Sequence, residues 1–264
     1  MKRLIFTDLD GTFLNHHDYS FEAAQEAVKK IKEAQIPLIF TTSKTKTEVE
    51  HLQNKVGISE PFIVENGAAL FIPKGYQAFD LSGLDDFDDY KVSFFGKSYS
   101  EVLVFYQKYR EDYTMVGLSD MTDNEIAKLT GLALSSVPFV RARDFTEPFI
   151  LRDESKLEAI QITAQKYDLK ITKGGRFYHL MSKSQDKGVA VKETIALFEA
   201  LYRDEVHSIA LGDSENDLPM LTNVDLPILI QKHDGSYLET DILNIQKSSY
   251  QGAKGWNEMV LKYV

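Results

Sequence analysis

Arg3-Leu4-Ile5-Phe6-Thr7-Asp8-Leu9-Asp10-Gly11-Thr12 opens the chain with a short apolar run that stops at two carboxylates, a glycine and a hydroxyl. An unbroken apolar run of this length, ended by glycine and polar residues, reads as a strand feeding a loop. Downstream, Phe21, Ala24, Val28 and Ile31 recur at helical spacing, and Pro37-Leu38-Ile39-Phe40-Thr41 forms a second apolar run. Strand, helix, strand predicts a parallel pair. Thr45 and Glu48 then show capping-box spacing, and Pro61-Phe62-Ile63-Val64 is a third strand, ending at Glu65-Asn66-Gly67. The same pattern returns late in the chain, where Val191, Ile195, Phe198 and Leu201 share a helical face ahead of a strand over 206–211 that runs into Gly212-Asp213. The expected fold is α/β, a doubly wound parallel sheet built from 1–80 plus 183–264 and split by an insertion.

Residues 81–182 break that pattern. The acidic stretch Asp85-Asp86-Phe87-Asp88-Asp89 reads as a solvated hinge. After it come a strand over 91–95, a helix from Ser100, a helix from the Thr122/Glu125 box to Gly131 and a helix over 157–167. Strands over 169–172 and 176–181, joined at Gly174-Gly175, complete a small sheet covered by helices. The insertion is therefore a second α/β domain.

A chain of 264 residues, 43% hydrophobic, can bury the cores of two such units. A net charge of −10 without any lysine or arginine block argues against holding nucleic acid, so a small-molecule partner is expected. The lack of cysteine removes disulfides, thiolate zinc sites and cysteine nucleophiles. Apolar runs are too short to span a bilayer, and Met1-Lys2-Arg3 leads straight into a strand, so a soluble cytoplasmic protein with no membrane partner is expected.

Asp8 and Asp10 lie just past a strand end, where parallel sheets build their sites, and such a pair can attack with one member and donate a proton with the other. Short acidic pairs also occur in ordinary turns, so the reading depends on what accompanies them. Gly212-Asp213-Ser214-Glu215-Asn216-Asp217 concentrates hard oxygen ligands of the kind that suit Mg²⁺, and Asp217 also reads as the N-cap of a helix at Leu218. Lys187-Gly188 opens the preceding helix, from which a lysine reaches a phosphoryl oxygen and offsets nearby carboxylates. Thr42 offers a hydroxyl just before a helix N-terminus, a position suited to phosphate. His16, His17, His51, His207 and His233 show no metal-ligand spacing.

Taken in order, Asp8-Leu9-Asp10-Gly11-Thr12, Thr42, Lys187 and Gly212-Asp213 through Asp217 resemble the four motifs of haloacid-dehalogenase-superfamily phosphatases. The resemblance implies a Rossmann-like core with Asp8 as nucleophile, Asp10 as general acid and then base, and Thr42 and Lys187 on the phosphoryl group. It implies Mg²⁺ held by Asp8, the Asp10 carbonyl and Asp213, with Asn216 and Asp217 supporting the metal or Lys187. The insertion between the second and third motifs is similar to the large α/β cap of one subfamily, where substrate choice resides.

Within that subfamily, Thr42-Ser43-Lys44-Thr45, Glu65-Asn66-Gly67-Ala68, Arg143-Asp144-Phe145-Thr146-Glu147-Pro148-Phe149, Gly175-Arg176-Phe177-Tyr178-His179 and Gly255-Trp256-Asn257-Glu258 resemble the branch that acts on mannosyl-3-phosphoglycerate. Ser43-Lys44 replaces the Gly-Arg of many capped relatives, which fits that branch. The implied partner is a small phosphorylated glycosyl-glycerate, mannosyl or glucosyl, converted to a compatible solute. A carboxylate beside a phosphate calls for cations, so Lys44, Arg143 and Arg176 are the expected contacts, with Glu65, Asn66 and Glu147 for sugar hydroxyls or water. His179 reads as a strand residue, and Trp256 as an anchor for the last helix. A phosphomannomutase-type transferase would have to shield the same phosphoenzyme from water. A non-catalytic sugar-phosphate sensor would have lost one of Asp8, Asp10, Lys187 or Asp213, all present. Segments 81–89 and 182–186 are the expected hinges for cap closure.

Overall fold

The computed structural model of the protein describes residues 2–174 and 177–264. The chain begins β1 (Lys2–Thr7), α1 (Gln25–Glu33), β2 (Leu38–Thr41), α2 (Lys46–Val56), β3 (Phe62–Val64), β4 (Ala69–Pro73), β5 (Asp85–Phe87) and β6 (Tyr90–Phe94). It continues through α3 (Tyr99–Tyr109), β7 (Met115–Gly117), α4 (Asp123–Thr130), α5 (Val137–Arg141), β8 (Glu147–Leu151), α6 (Leu157–Gln165), β9 (Leu169–Gly174) and β10 (Phe177–Ser182). It closes with α7 (Lys187–Tyr202), β11 (Val206–Gly212), α8 (Leu218–Thr222), β12 (Leu226–Gln231), β13 (Gln246–Gln251) and α9 (Gly252–Tyr263).

A nine-stranded sheet runs in the order β13-β12-β11-β1-β2-β3-β4-β6-β5. From β13 to β3 the neighbours are parallel, and β4, β6 and β5 extend the sheet antiparallel. The expected doubly wound sheet is present, and its central strands β2 and β3 are buried throughout because both faces are covered. Along β1 the side chains alternate: Ile5 joins Val28, Ile31, Val49 and Trp256 from α1, α2 and α9, whereas Leu4 and Phe6 join Val191, Phe198 and Met220 from α7 and α8. Each such buried side chain stabilises the fold by roughly 1.5–3 kcal/mol. An exposed pair such as Lys29–Glu33, 3.8 Å apart, contributes a few tenths at most. Apolar burial, not surface charge, therefore holds the sandwich together.

The second sheet, β7-β8-β10-β9, is wholly antiparallel. Phe105, Phe149, Ile160 and Leu180 form a core between one of its faces and α3 and α6, while Ile126, Val137 and Val140 of α4 and α5 pack with Val116, Ile150 and Phe177. The Thr122/Glu125 capping box and the left-handed Gly131 cap both form at the ends of α4. The expected helix over 157–167 stops earlier, at Gln165.

The boundary set at residue 81 needs correction. The strand assigned to the insertion pairs instead with β4 in the large sheet, with Phe71 opposite Val92. Val92 is buried and Tyr90 sits edge-on to Phe71 at 5.7 Å, so this segment needs the large sheet to cover it. The acidic run is no hinge either: Asp85–Phe87 is the edge strand, with Asp86 held by Lys74 and Lys91 at 3.1 and 3.0 Å. Charge along an edge blocks further strand pairing, which explains its composition. The chain leaves the large sheet after Phe94 and returns through 183–186, where buried Gln185 donates to the Glu65 carbonyl at 2.8 Å. No helix among the described residues is long and apolar enough to cross a membrane.

Candidate active site

β1 and β11 are parallel neighbours with Thr7 opposite Leu211, so the loops that follow them emerge side by side at the carboxyl edge of the sheet. The Asp8 N–H donates to the Leu211 carbonyl at 2.9 Å, and the Thr12 hydroxyl donates to Asp213 Oδ1 at 2.9 Å. Gly11 has φ +85°, and a Cβ there would lie 2.7 Å from Asp213 Oδ2, so glycine lets the two loops close on each other. Lys187 begins α7 immediately after its N-cap Asp186. Its Nζ, fully buried, lies 2.6 Å from Asp8 Oδ1 and 2.7 Å from Asp217 Oδ1.

Burial, then the Asp217 charge, pushes the Asp8 carboxyl up to about 7, against the pull of Lys187. Burial and the neighbouring Asp217 and Asp8 raise Asp213 well above the usual carboxylate range. Burial opposes the charge on Lys187, yet Asp217 and Asp8 together hold its pKa above that of an ordinary lysine. Carboxylate oxygens of Asp8, Asp213 and Asp217 all lie within 4.8 Å of one another. Three carboxylates against one ammonium leave excess negative charge, and hard oxygen donors so grouped fit a divalent cation such as Mg²⁺.

Asp8 and Asp213 lie together as expected of metal ligands, and Asp217 is bound to Lys187, one of the two supporting roles expected of it. Asp217 joins Asp8 and Asp213, while the Asp10 carboxylate turns away to Lys44, 2.8 Å from its Nζ. Asp217 also does not cap α8 with its side chain; Oδ2 instead accepts from the Asp213 and Ser214 amides at 3.1 and 3.0 Å. Asn216 donates to Asn66 Oδ1 at 3.1 Å, tying the Asp213 loop to the loop after β3. Thr42 is buried at the end of β2, its N–H donating to the Ile63 carbonyl at 3.0 Å and its hydroxyl accepting from Lys44 N–H at 3.2 Å. The Thr45/Glu48 box then starts α2.

The remaining expected contacts divide. Glu65, Asn66 and Gly67 all have positive φ, and a Cβ on Gly67 would overlap the Asp186 backbone, so this turn packs directly under the start of α7. Glu65 is fully buried and holds the loop before β8. It accepts from Asp144 N–H (2.8 Å), Thr146 N–H (2.8 Å), the Thr146 hydroxyl (2.7 Å) and Arg143 Nη1 (3.4 Å). It is a strut between the two sheets, and Asn66 is engaged with Asn216. Glu147 is likewise buried away from the others, its carboxylate taken by the Tyr99 hydroxyl (2.5 Å) and by Ser119 N–H and Oγ (3.0 and 2.8 Å). Its pKa is raised, by burial first. Arg141 is structural too, pairing with Asp123 at 2.8 Å. Arg176 and Gly175 lie outside the described residues.

Lys44 and Arg143 do come together with Asp10. All three line a cavity of about 210 Å³ between the motif loops and the second sheet, and His179, a plain strand residue by its place in the sequence, lines it as well. Burial works against the Lys44 ammonium, but Asp10 and Glu48 hold its pKa above the ordinary lysine value. A wider cleft of about 1000 Å³ lies at the opposite edge, beside Lys2, Arg3, Pro37 and Leu38, and contains none of the motif residues. His16, His17 and His233 also meet, with His16 and His233 stacked at 3.9 Å. Among the described residues, however, the aspartate trio is the group whose donor atoms converge. Trp256 anchors α9 as expected and also donates to the Thr7 hydroxyl at 3.0 Å, beneath Asp8.

A parallel sheet with paired aspartates, a buried lysine and a carboxylate cluster at its carboxyl edge, split by an α/β insertion, defines a class of capped phosphoryl-handling enzymes. The chain belongs to the haloacid dehalogenase-like hydrolase family, whose model matches residues 5–234. It is 48% identical to a glucosyl-3-phosphoglycerate/mannosyl-3-phosphoglycerate phosphatase of Persephonella marina over 97% of this chain and 95% of the relative. It is 39% identical to a protein of the same name from Methanococcoides burtonii, over 100% of this chain and 98% of that one. A haloacid dehalogenase-like hydrolase from Bacteroides thetaiotaomicron shares the fold at a TM-score of 0.71, with 16% identity and full coverage of both chains. The sequence reading of a phosphoric monoester hydrolase stands at that level.

Proposed function

We propose that the protein is a Mg²⁺-dependent phosphatase that hydrolyses mannosyl-3-phosphoglycerate and glucosyl-3-phosphoglycerate through an aspartyl phosphate on Asp8. The observation that carries this reading is the buried Lys187 bound to both Asp8 and Asp217, beside Asp213. The names of the two relatives support the substrate.

In this reading Asp8 attacks the phosphorus with one carboxylate oxygen, and the departing glycerate oxygen takes a proton from Asp10. Lys187 and the Thr42 hydroxyl hold the equatorial oxygens, where phosphoryl transfer spreads its negative charge. Asp10 then takes a proton from water as that water attacks the phosphorus of the aspartyl phosphate, releasing phosphate and restoring Asp8. Asp8, Asp213 and the Asp10 carbonyl would hold Mg²⁺, which would offset negative charge at the transferring phosphoryl group. Lys44, now on Asp10, is placed to meet the glycerate carboxylate, and that exchange frees Asp10 to carry its proton. Arg143 supplies a second cation to the same cavity. The substrate-selecting cap comprises residues 95–182, smaller at its start than composition alone suggested.

Phosphate release with Mg²⁺ from the two glycosyl phosphoglycerates should exceed release from mannose 6-phosphate, sucrose 6-phosphate and trehalose 6-phosphate, and EDTA should abolish it. Equal or faster release from a hexose phosphate overturns the substrate. Undiminished release in EDTA overturns the metal.

A further inference from the structure

Buried side-chain atoms without a hydrogen-bond partner are few among the described residues: Asp10 Oδ1, Thr114 Oγ1, Arg143 Nε and His179 Nδ1. Three of these four belong to residues that line the cavity of about 210 Å³. Native proteins pair nearly all such atoms, so a cluster of exceptions around one cavity points to a polar ligand that completes them.

His179 is the most specific of the three. It sits on β10 opposite Thr172 of β9 and is 5% exposed. Its ring donates to the Gly174 carbonyl, and Nε2 lies so near that a Cβ on Gly174 would meet it at 3.1 Å. Donation from Nε2 leaves Nδ1 as the unprotonated nitrogen, able only to accept. Burial and the Arg143 charge push the pKa down to about 3, so the ring stays neutral at physiological pH. Leu132, Val140 and Phe177 give the same cavity an apolar wall. An acceptor beside apolar surface matches a sugar, with hydroxyl donors on its edge and C–H groups on its face.

We propose that His179 is a specificity-determining residue whose Nδ1 accepts a hydrogen bond from a hydroxyl of the substrate's sugar. This rests on the glycosyl-phosphoglycerate reading above. The variants that test it separate the two ring nitrogens. His179→Asn keeps an acceptor near the Nδ1 position, whereas His179→Gln reaches the Gly174 carbonyl and lacks that acceptor. With mannosyl-3-phosphoglycerate, kcat/KM should fall about 10- to 100-fold in His179→Gln and stay within about threefold in His179→Asn. With p-nitrophenyl phosphate, which carries no sugar, both variants should match wild type. Equal losses on both substrates, or a Gln variant that keeps its sugar preference, overturn the proposal while leaving the function intact. Should the Gln variant not fold, single-deoxy analogues of the mannosyl group decide with wild type alone: one position must cost about tenfold, and a series in which none does overturns the proposal. A wild type that prefers hexose phosphates overturns the function itself, and the His179 assignment falls with it.

Discussion

The carboxylate centre at the edge of the large sheet and the cavity that faces it are built on opposite terms. At the centre Lys187, Asp8 and Asp217 satisfy one another at 2.6–2.7 Å, and Asp213 has the Thr12 hydroxyl. In the cavity Asp10, Arg143 and His179 each keep a buried polar atom unpaired. In the proposed function, the chemical end is organised before substrate arrives and the recognition end is completed by it. Preorganised charges cost no rearrangement during reaction, whereas unpaired groups penalise every ligand that fails to match them.

The sharpest way to break this contrast is Asp8→Asn, expected to lower turnover at least about 10⁴-fold and to abolish a trappable phosphoenzyme. Labelled phosphate on the variant protein at wild-type level would remove Asp8 from the centre. Lys187→Met should come next, with turnover down about 10³-fold by initial rates, because the transferring oxygens lose a buried cation. The same variant leaves two buried carboxylates facing each other, so urea unfolding should show a loss of about 3 kcal/mol.

Glu65→Gln tests whether the cavity depends on its strut. A carboxylate that accepts four bonds from 143–146 becomes a group that can accept fewer, which should cost about 2 kcal/mol in urea unfolding and raise KM more than it lowers kcat. Unchanged KM would mean that Arg143 is placed without Glu65. A further test lies in pH dependence. With His179 pushed down to about 3 from 6.5, the folded chain binds fewer protons than the unfolded chain between those values. Its contribution is therefore fully present above 6.5 and lost as pH falls through that window. Melting temperatures of His179→Gln should decline less between pH 7 and pH 4 than those of wild type, and equal slopes would place the ring's titration elsewhere.

Much of the centre is legible in the sequence because its residues sit in short motifs at strand ends. Asp8, Thr42, Lys187 and Asp213 can be placed from apolar runs and the polar residues that end them, and both capping boxes form at their expected positions. Local spacing reads Asp217 only as a helix cap, since its bond to Lys187 spans 30 positions, and it is the family resemblance that implies its support of the metal or Lys187. The strand over 90–94 falls to the wrong sheet on sequence alone because period-two alternation reveals a strand but not its partner. β13 is polar along most of its length and exists through backbone pairing with β12, which leaves little side-chain signal. Glu147 looks available for a sugar until Tyr99 and Ser119, distant in the chain, are placed on it. His179 gives no warning: in sequence it is one position in an alternating strand, and only the tertiary packing isolates its Nδ1.

The chain's own order of residues thus determined the class of fold, the loop of paired aspartates and the cationic and acidic groups available to it, because strand ends, helix starts and hydrophobic period are local properties. The tertiary structure decided which carboxylates share Lys187, which acidic residues became struts, and which atoms were left unpaired in the cavity. Those outcomes depend on burial and on distances between residues far apart in the chain, and no local pattern encodes either.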